Sequence, residues 1–383
     1  MNKLTKYFWA AIPVLLIGYL EWDYMSHRML MEFSTSSYSS TSSIVQILLF
    51  LICTVFCFKN KSKIMVQEKY LLFSYMGIFL FTFSYAFSQS QILPVKILLP
   101  VVAFFYASRY SETYGYDSAL KISLLLLFLF LVYTNFTTRE LIYASMLTTD
   151  QFISSASYVL LFMLPLILIY DNKYVRWGGM LVIVISILMS FKRTGLISLV
   201  LGILVYFIIF MKLNKLRFSS KLITIIAVCA VGFYVTANYL DAFFIERLIS
   251  SSEDGGSGRD LVYHNAIQLI QMSDLEGLLF GHGWDTVTVA TGMPAHNDYL
   301  ELIYDCGIFV LILFVLFLLR MLLLTVKLYK KQHSLTAPLA ASLAIFLVNT
   351  MISHVVLYIV WMLIFALFWG IVVGLLKREK IIV

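Results

Sequence analysis

Long apolar runs separated by short polar connections make up most of the chain. Runs able to cross ~30 Å of hydrocarbon, some by tilting or with aromatic ends in the interface, give twelve candidates. Lipid cannot satisfy backbone hydrogen bonds, and the runs are too long and too apolar for barrel strands, so each is expected to be a helix. The pattern predicts an all-α, polytopic integral membrane protein. The predicted spans are 7–21, 43–58, 70–87, 92–107, 119–136, 156–170, 176–190, 195–212, 221–240, 299–326, 336–353 and 355–376.

Composition gives the same class. Of 383 residues, 61% are hydrophobic and only 13% are charged, and the mean hydropathy is +0.89. No soluble core could hide that much apolar surface, so a soluble globular protein is excluded. The apolar stretch after the basic Met1 to Lys6 segment has no small-residue processing site, and the first span is therefore expected to be retained.

Basic residues are divided unevenly between the two sides of the predicted membrane. The N-terminus and the connections after every second span hold most of them; the opposite side holds only Arg28, Arg139, Lys192, Arg193, Arg247 and Arg259. The positive-inside rule then predicts cytoplasmic termini and an outward-facing segment from about residue 241 to 298. The net charge of +7 reports this topology, because the basic residues are spread over separate loops. Nucleic-acid binding is therefore excluded.

The predicted topology divides the chain into three parts. Residues 1–240 hold nine spans, residues 241–298 form a large outward loop, and residues 299–383 hold three spans and the C-terminus. Two other outward segments, 21–42 and 137–155, are shorter. Within the large loop, the apolar residues between Leu261 and Met272 recur with helical spacing, which predicts short helices there. Long loops usually carry function, so this loop is the predicted catalytic part.

A polar stretch at 281–307 precedes the tenth predicted span. Its Ala-His-Asn-Asp sequence places His296 at the membrane surface, where a lipid-linked substrate would present its head group. Neutral imidazole can accept the proton of a sugar hydroxyl, so His296 is the candidate general base. His264 and His282 are equally eligible by residue type, but His264 is expected on an exposed or packing face of a short helix and His282 in a turn. His27, His333 and His354 are interpreted as structural or solvated.

Two arginines on the side poor in basic residues are candidate anion-binding groups. Arg193 lies at the outer end of a span, where the alternative is an interfacial arginine whose side chain reaches the head groups. Arg259 follows a Gly-rich turn and precedes the amphipathic helix. Its guanidinium and the backbone amides of the helix start would suit a phosphate or pyrophosphate. The alternative for Arg259 is a surface ion pair with Asp260.

Metal and nucleophile chemistry have weaker support. Glu21 and Asp23 resemble the acidic pair that holds a divalent metal in many polyprenyl-phosphate glycosyltransferases. No second acidic cluster accompanies this pair, which favours a solvated interfacial loop. Cys53, Cys57, Cys229 and Cys306 have no disulfide or zinc spacing and are expected to be apolar filler. No Gly-x-Ser-x-Gly elbow occurs in the outer loops.

These motifs together resemble the O-antigen ligase and polymerase superfamily. They are Ser-Phe-Lys-Arg-Thr-Gly-Leu-Ile (190–197), Ser-Gly-Arg-Asp-Leu-Val-Tyr (257–263), Gly-His-Gly (281–283) and the His-Asn before Gly307. The clear resemblance covers about residues 185–325. It implies a GT-C-like membrane glycosyltransferase with its active site at the periplasmic face of the bacterial inner membrane. It further implies a metal-independent, inverting glycosyl transfer that needs no cofactor.

The resemblance also implies residue roles. Arg193 and Arg259 would bind the pyrophosphate of an undecaprenyl-pyrophosphate-linked oligosaccharide, and His296 would be the base. The residues expected to support the site are Asn297, Gly281, Gly283, Arg247 and Tyr299. Two guanidinium groups and an imidazole meet the two needs of the reaction, which are to stabilise the leaving group and to deprotonate an alcohol.

Within the superfamily, the Ala-His-Asn-Asp-Tyr-Leu-Glu-Leu motif and the many Tyr and Phe residues favour a polymerase. A polymerase joins one lipid-linked repeat unit to another, and a chain-length regulator is a further candidate partner. The alternative is a ligase that moves the finished polymer to lipid A core. A lipid-glycan flippase or transporter is disfavoured, because only Lys96 and Arg320 lie deep in predicted spans and no inverted repeat is evident.

Overall fold

The structure is a computed structural model that describes residues 3–30, 40–60, 62–89, 93–145, 157–190, 193–215 and 259–382. These residues form helices joined by short connections, with no strand among them. The elements are α1 (Lys3–Leu30), α2 (Ser40–Lys59), α3 (Val66–Gln89), α4 (Leu93–Tyr114), α5 (Ser118–Ser145), α6 (Ser157–Leu168), α7 (Lys173–Leu188), α8 (Arg193–Leu213), α9 (Arg259–Met272), α10 (Leu275–Phe280), α11 (Thr286–Thr291), α12 (Asp298–Glu301), a π-helix (Leu302–Cys306), α13 (Ile308–Lys330), α14 (Thr336–Ile352) and α15 (Ile359–Arg378).

A helix occurs at every predicted span that falls within the described residues. The span predicted at 221–240 lies outside them. In the described part of the chain, five helical stretches are long and apolar enough to cross a membrane: Leu93–Tyr114, Ser118–Thr137, Thr194–Leu213, Ile308–Lys330 and Ile359–Arg378. The all-α class is thereby confirmed for the described part of the chain, and these candidate spans are consistent with a polytopic membrane protein. The number of twelve spans and the GT-C-like fold stay predictions.

The tightest helix pair in the bundle is α4 with α15. Gly370 and Gly374 lie one turn apart on α15 and face the backbone of α4. A Cβ on Gly370 would lie 2.3 Å from the Phe104 carbonyl oxygen, and one on Gly374 would lie 2.2 Å from that of Ser108. Two glycines four residues apart let helices approach closely in a membrane, where packing replaces the hydrophobic effect as the source of association. This pair forms the centre of the bundle.

A second pair, α8 with α14, brings the beginning of α8 to the site. Gly202 lies against Ile345, where an added Cβ would be 2.5 Å from the Ile345 side chain. One turn further along α14, Asn349 Nδ2 donates to Ser198 Oγ at 2.9 Å, and both residues are buried. This hydrogen bond fixes the first turns of α8 beside the last turn of α14.

Charged contacts join the opposite end of the bundle. Lys377 Nζ lies 2.7 Å from Glu68 Oε1, and Lys6 Nζ lies 3.0 Å from Asp117 Oδ2. His333 Nε2 lies 2.8 Å from Glu379 Oε2. These contacts bring together the start of α1, the start of α3, two connections and the end of α15. Some of the predicted basic connections therefore lie together in the described part of the chain, and their cytoplasmic location stays a prediction.

The first predicted outward loop was placed wrongly. Helix α1 continues through Glu21 and Asp23 to Leu30, and both carboxylates are buried, not solvated. Gln46 Nε2 of α2 donates to Asp23 Oδ2 at 3.4 Å. The apolar run ends at Gly18 to Leu20, but a helix can continue past it when its polar side chains face neighbouring helices rather than lipid.

The start of the tenth predicted span was also wrong. A spanning helix was expected from residue 299, but α12, the π-helix and a break at Gly307 come first, and α13 begins at Ile308. Polar residues between 298 and 305 make non-local hydrogen bonds that a straight membrane helix would not allow. The cysteine interpretation fits the described part of the chain, where Cys53, Cys57 and Cys306 are free thiols; Cys229 lies outside it.

Candidate active site

Residues 259–307, called the loop subdomain below, pack onto α13 and are hydrogen-bonded to the connection between α14 and α15. The amphipathic prediction holds in part for α9. Val262 and Ala266 are buried as expected, while Leu261 and Ile267 are exposed. The subdomain has a small core of its own, in which Val262 and Ala266 pack with Val287 and Ala295.

The Gly-His-Gly turn closes the end of the π-helix. The backbone N–H of His282 donates to the Tyr304 carbonyl, and that of Gly283 donates to the Asp305 carbonyl, both at 2.9 Å. The last carbonyl groups of a helix have no partner within it. The turn therefore satisfies two of them and fixes the direction in which the chain enters α13.

Two glycines make this closure possible. Gly281 and Gly307 both have φ of 84°, a region that residues with a Cβ rarely adopt. A Cβ on Gly281 would lie 2.3 Å from the Asp305 carbonyl oxygen, and one on Gly307 would lie 2.3 Å from that of Leu279. Gly281 was predicted to support the site, and it does so by letting the backbone pass close to that of Asp305. Gly307 allows the matching close approach to the backbone of Leu279.

The Asp305 carboxylate organises the opposite side of the turn. It accepts hydrogen bonds from the backbone N–H groups of Asp285 and Val287, each at 3.0 Å, and from Thr286 Oγ1 at 2.8 Å. Burial raises the pKa of Asp305, and these hydrogen bonds oppose the rise. Since three donors converge on it, the Asp305 side chain satisfies free N–H groups at the start of α11 by a contact from outside that helix.

His296 has an unusual backbone conformation just before α12. Its φ is 54°, which is uncommon for a residue other than glycine and is often seen at functional sites. Its backbone N–H donates to Glu301 Oε1 at 3.1 Å. Glu301 is buried, and burial raises its pKa well above the usual value. The Glu301 side chain, five residues further along the chain, therefore helps to hold the His296 backbone in this conformation.

Asn297 connects the histidine segment to α14. Its side-chain oxygen accepts from the backbone N–H of Tyr299 at 3.0 Å and so caps α12, while its Nδ2 donates to the Met351 carbonyl at 3.2 Å. The Tyr299 hydroxyl lies 3.2 Å from Thr350 Oγ1. Both residues were predicted to support the site, and both contact the last turn of α14.

Asp298 ties the same segment to the connection between α14 and α15. Its carboxylate accepts from the backbone N–H groups of Val355 at 2.8 Å and Val356 at 3.1 Å. The carboxylate is fully buried, and burial raises its pKa while these hydrogen bonds oppose the rise. Sequence reasoning missed this role, since nothing local to Asp298 indicates a partner so distant along the chain.

His354, interpreted from sequence as structural or solvated, lies in this connection and faces His296. The two imidazole rings are stacked, with centroids 5.0 Å apart and planes inclined by 14°. The His354 ring also lies nearly parallel to that of Trp361 of α15, with centroids 6.1 Å apart. In the sequence, the sign of this role was a histidine between two apolar spans. Its long separation from His296 along the chain gave no reason to pair the two residues.

The helices that begin with the two predicted arginines meet at one turn of α14. Ser198, just over one turn after Arg193, accepts from Asn349 at 2.9 Å. Tyr263, one turn after Arg259, donates from its hydroxyl to the Met351 carbonyl at 3.1 Å. The Arg193 and Arg259 side chains lie outside what the structure describes, as does the whole of Arg247. Side chains near the starts of α8 and α9 nevertheless contact the same turn of α14 that anchors the His296 segment.

The other two loop histidines have separate partners. His264 is exposed on α9 and its Nε2 lies 2.9 Å from Gln268 Nε2. His282 lies in the glycine turn, with Nε2 2.8 Å from Ser273 Oγ and its ring 4.3 Å from that of Tyr304. Both locations agree with the sequence interpretation, and each ring contacts neighbours different from those of His296.

Among the described residues, no group of three or more His, Cys, Asp and Glu side chains could hold a metal ion. Glu21 and Asp23, the alternative acidic pair, lie on α1 in the helical bundle and not in the loop subdomain.

Fold and site together define the class: a polytopic helical membrane protein with a histidine-containing polar site built where a loop subdomain meets the ends of its helices. Residues 178–315 match the model of the family described as O-antigen ligase, which supports the O-antigen ligase and polymerase superfamily. The matched range runs from α7 into α13 and contains Arg193, Arg259 and His296. Among curated proteins, none matches the chain significantly.

Proposed function

We propose that this protein is a polymerase of O-antigen or a related repeat-unit polysaccharide in a bacterial inner membrane. It would transfer a glycan from an undecaprenyl-pyrophosphate-linked donor to a sugar hydroxyl of a second lipid-linked repeat unit, at the periplasmic face. The family match supports activity of the O-antigen ligase or polymerase type on lipid-linked polysaccharide. The polymerase assignment, the donor lipid and the sidedness are our proposals.

One observation carries this proposal. The first turns of α8 and α9 and the His296 segment are all hydrogen-bonded to residues 349–351 of α14. Helix N-termini favour anions through their free N–H groups and the helix dipole, and each of these two helices begins with an arginine. Two cationic helix starts and an imidazole at one turn of α14 suit a pyrophosphate donor and an alcohol acceptor.

The reaction assigns one task to each group. The acceptor hydroxyl oxygen attacks the anomeric carbon as its proton passes to His296, and the bond between that carbon and the phosphate oxygen breaks. The electron pair leaves with the pyrophosphate, whose charge Arg193 and Arg259 would stabilise. A single displacement of this kind inverts the anomeric configuration. The leaving group is already an anion, so the reaction needs no general acid.

The competing candidate is an O-antigen ligase, which the description of the matching family favours. Its donor would be the same, but its acceptor would be lipid A core. The site residues discussed above serve either acceptor, because they act on the donor and on one hydroxyl proton.

Deletion of the gene distinguishes these candidates. A polymerase deletion should leave lipopolysaccharide or its equivalent carrying one repeat unit, whereas a ligase deletion should leave none and accumulate lipid-linked polymer. Transfer in vitro from a purified undecaprenyl-pyrophosphate-linked repeat unit to a second such unit would test the polymerase directly. Transfer only when lipid A core is supplied would overturn the polymerase proposal and keep the ligase.

A further inference from the structure

His354 lies outside the family match, which ends at residue 315, yet it contacts the candidate base. The His296 and His354 ring planes are inclined by only 14°, with centroids 5.0 Å apart. Parallel rings at this separation are within the range of offset stacking. The connection between α14 and α15 thus contributes a ring that stacks on the His296 imidazole.

His354 makes further ring contacts with residues 358 and 361. Its ring lies parallel to that of Trp361, inclined by 11°, and 5.8 Å from that of Tyr358. Trp361 in turn contacts Tyr158 of α6, with centroids 5.2 Å apart. At the backbone, Asp298 accepts from the two residues that follow His354. The His354 ring is therefore held against α15 by Trp361. Its backbone is held against the His296 segment by the hydrogen bonds of Asp298.

We propose that His354 is a positioning residue for His296. Its ring face holds the His296 imidazole in the orientation that reaches the acceptor hydroxyl, and it stabilises the imidazolium that forms when His296 takes the proton. This proposal rests on the proposed function, since it assigns His354 a role only through the base. His354 itself transfers no proton in this account.

The test compares His354→Phe, His354→Leu and His354→Ala, with the exposed His264→Leu as matched control. Donor binding and repeat-unit transfer are measured on the purified full chain in detergent, and the thermal midpoint of each variant is recorded. Phenylalanine keeps a flat ring for stacking, so it should retain activity within about threefold of wild type. Leucine and alanine should lower turnover roughly 3- to 30-fold, the range a cation–π contact spans, with donor binding unchanged. Equal activity of His354→Phe and His354→Leu would overturn the proposal, because packing alone would then explain the position.

A double variant tests whether His354 acts through His296. This test compares rates within the His296→Ala background, so it does not rely on one single variant folding like wild type. In the His296→Ala background, His354→Ala should change the residual rate less than twofold, because the ring it supports is absent. A further loss equal to that in the wild-type background would overturn the proposal. If His296→Ala alone retains full activity, the proposed base is wrong. If His296→Ala is inactive while His354→Ala matches wild type, only the role of His354 fails.

Discussion

The Asp298 carboxylate accepts the backbone N–H of Val355 at 2.8 Å, across 57 residues of sequence. Asp298 is two residues after His296, and Val355 directly follows His354. One buried side chain thereby connects the two histidine-bearing segments and fixes the connection between α14 and α15 against the loop subdomain.

Removal of the Asp298 carboxylate should destabilise this junction. In Asp298→Ala, the Val355 and Val356 N–H groups lose their acceptor, and each buried unsatisfied donor costs ~1 to 3 kcal/mol. Asp298→Asn keeps one acceptor oxygen and should lose less. Thermal unfolding in detergent and transfer activity measure the effect, with the exposed Asp260→Asn as control. Unfolding of Asp298→Ala at the same temperature as the control would contradict the assigned role.

The close crossing at Gly281 should tolerate no side chain. Gly281 and Gly292 have φ of 84° and 81°, but their ψ angles are 172° and −6°. Only Gly292 is in the left-handed helical region that other residues can adopt, so alanine is strained more at Gly281. An added Cβ at Gly281 would meet the Asp305 backbone, whereas at Gly292 it would meet open space. We expect Gly292→Ala to cost about 1 kcal/mol and Gly281→Ala to cost clearly more and to lower activity. Equal melting temperatures for the two variants would show that the crossing is not required.

Bidentate binding of the pyrophosphate predicts a graded response at the two arginines. Arg193→Lys and Arg259→Lys keep the charge but lose the planar fork, so each should retain more activity than the matching alanine and stay below wild type. The alanine variants should lose roughly 10²- to 10³-fold. Repeat-unit transfer at matched membrane expression is the measurement, with Lys192→Ala as the mild neighbouring control. An alanine variant as active as its lysine counterpart would rule out charge stabilisation at that position.

Transfer should continue without a divalent metal, because two arginines supply the positive charge that a metal would otherwise provide. Activity in EDTA is expected to stay within about twofold of the untreated rate. Glu21→Gln combined with Asp23→Asn should act mainly on stability, since both carboxylates are buried in the bundle. Loss of activity in EDTA that magnesium or manganese restores would instead support the acidic-pair mechanism.

The apolar runs predicted helices well because a membrane span must satisfy its own backbone hydrogen bonds. The prediction failed at Glu21 and at residue 299, where polar side chains continue or interrupt a helix according to their tertiary contacts. Within the site, His296 could be found from its motif. Asp298 and His354 could not, since their partners lie far along the chain and only folding brings them together.

The assignment of His296 as the general base can be checked with one series of histidine variants. His296→Ala, His264→Ala and His282→Ala are compared for repeat-unit transfer at matched expression, with donor binding measured for any inactive variant. We expect His296→Ala to lose a factor of ~10² to 10⁴ in rate while it still binds donor, and the other two variants to be far milder. Normal transfer by His296→Ala, with His264→Ala or His282→Ala inactive, would contradict this assignment.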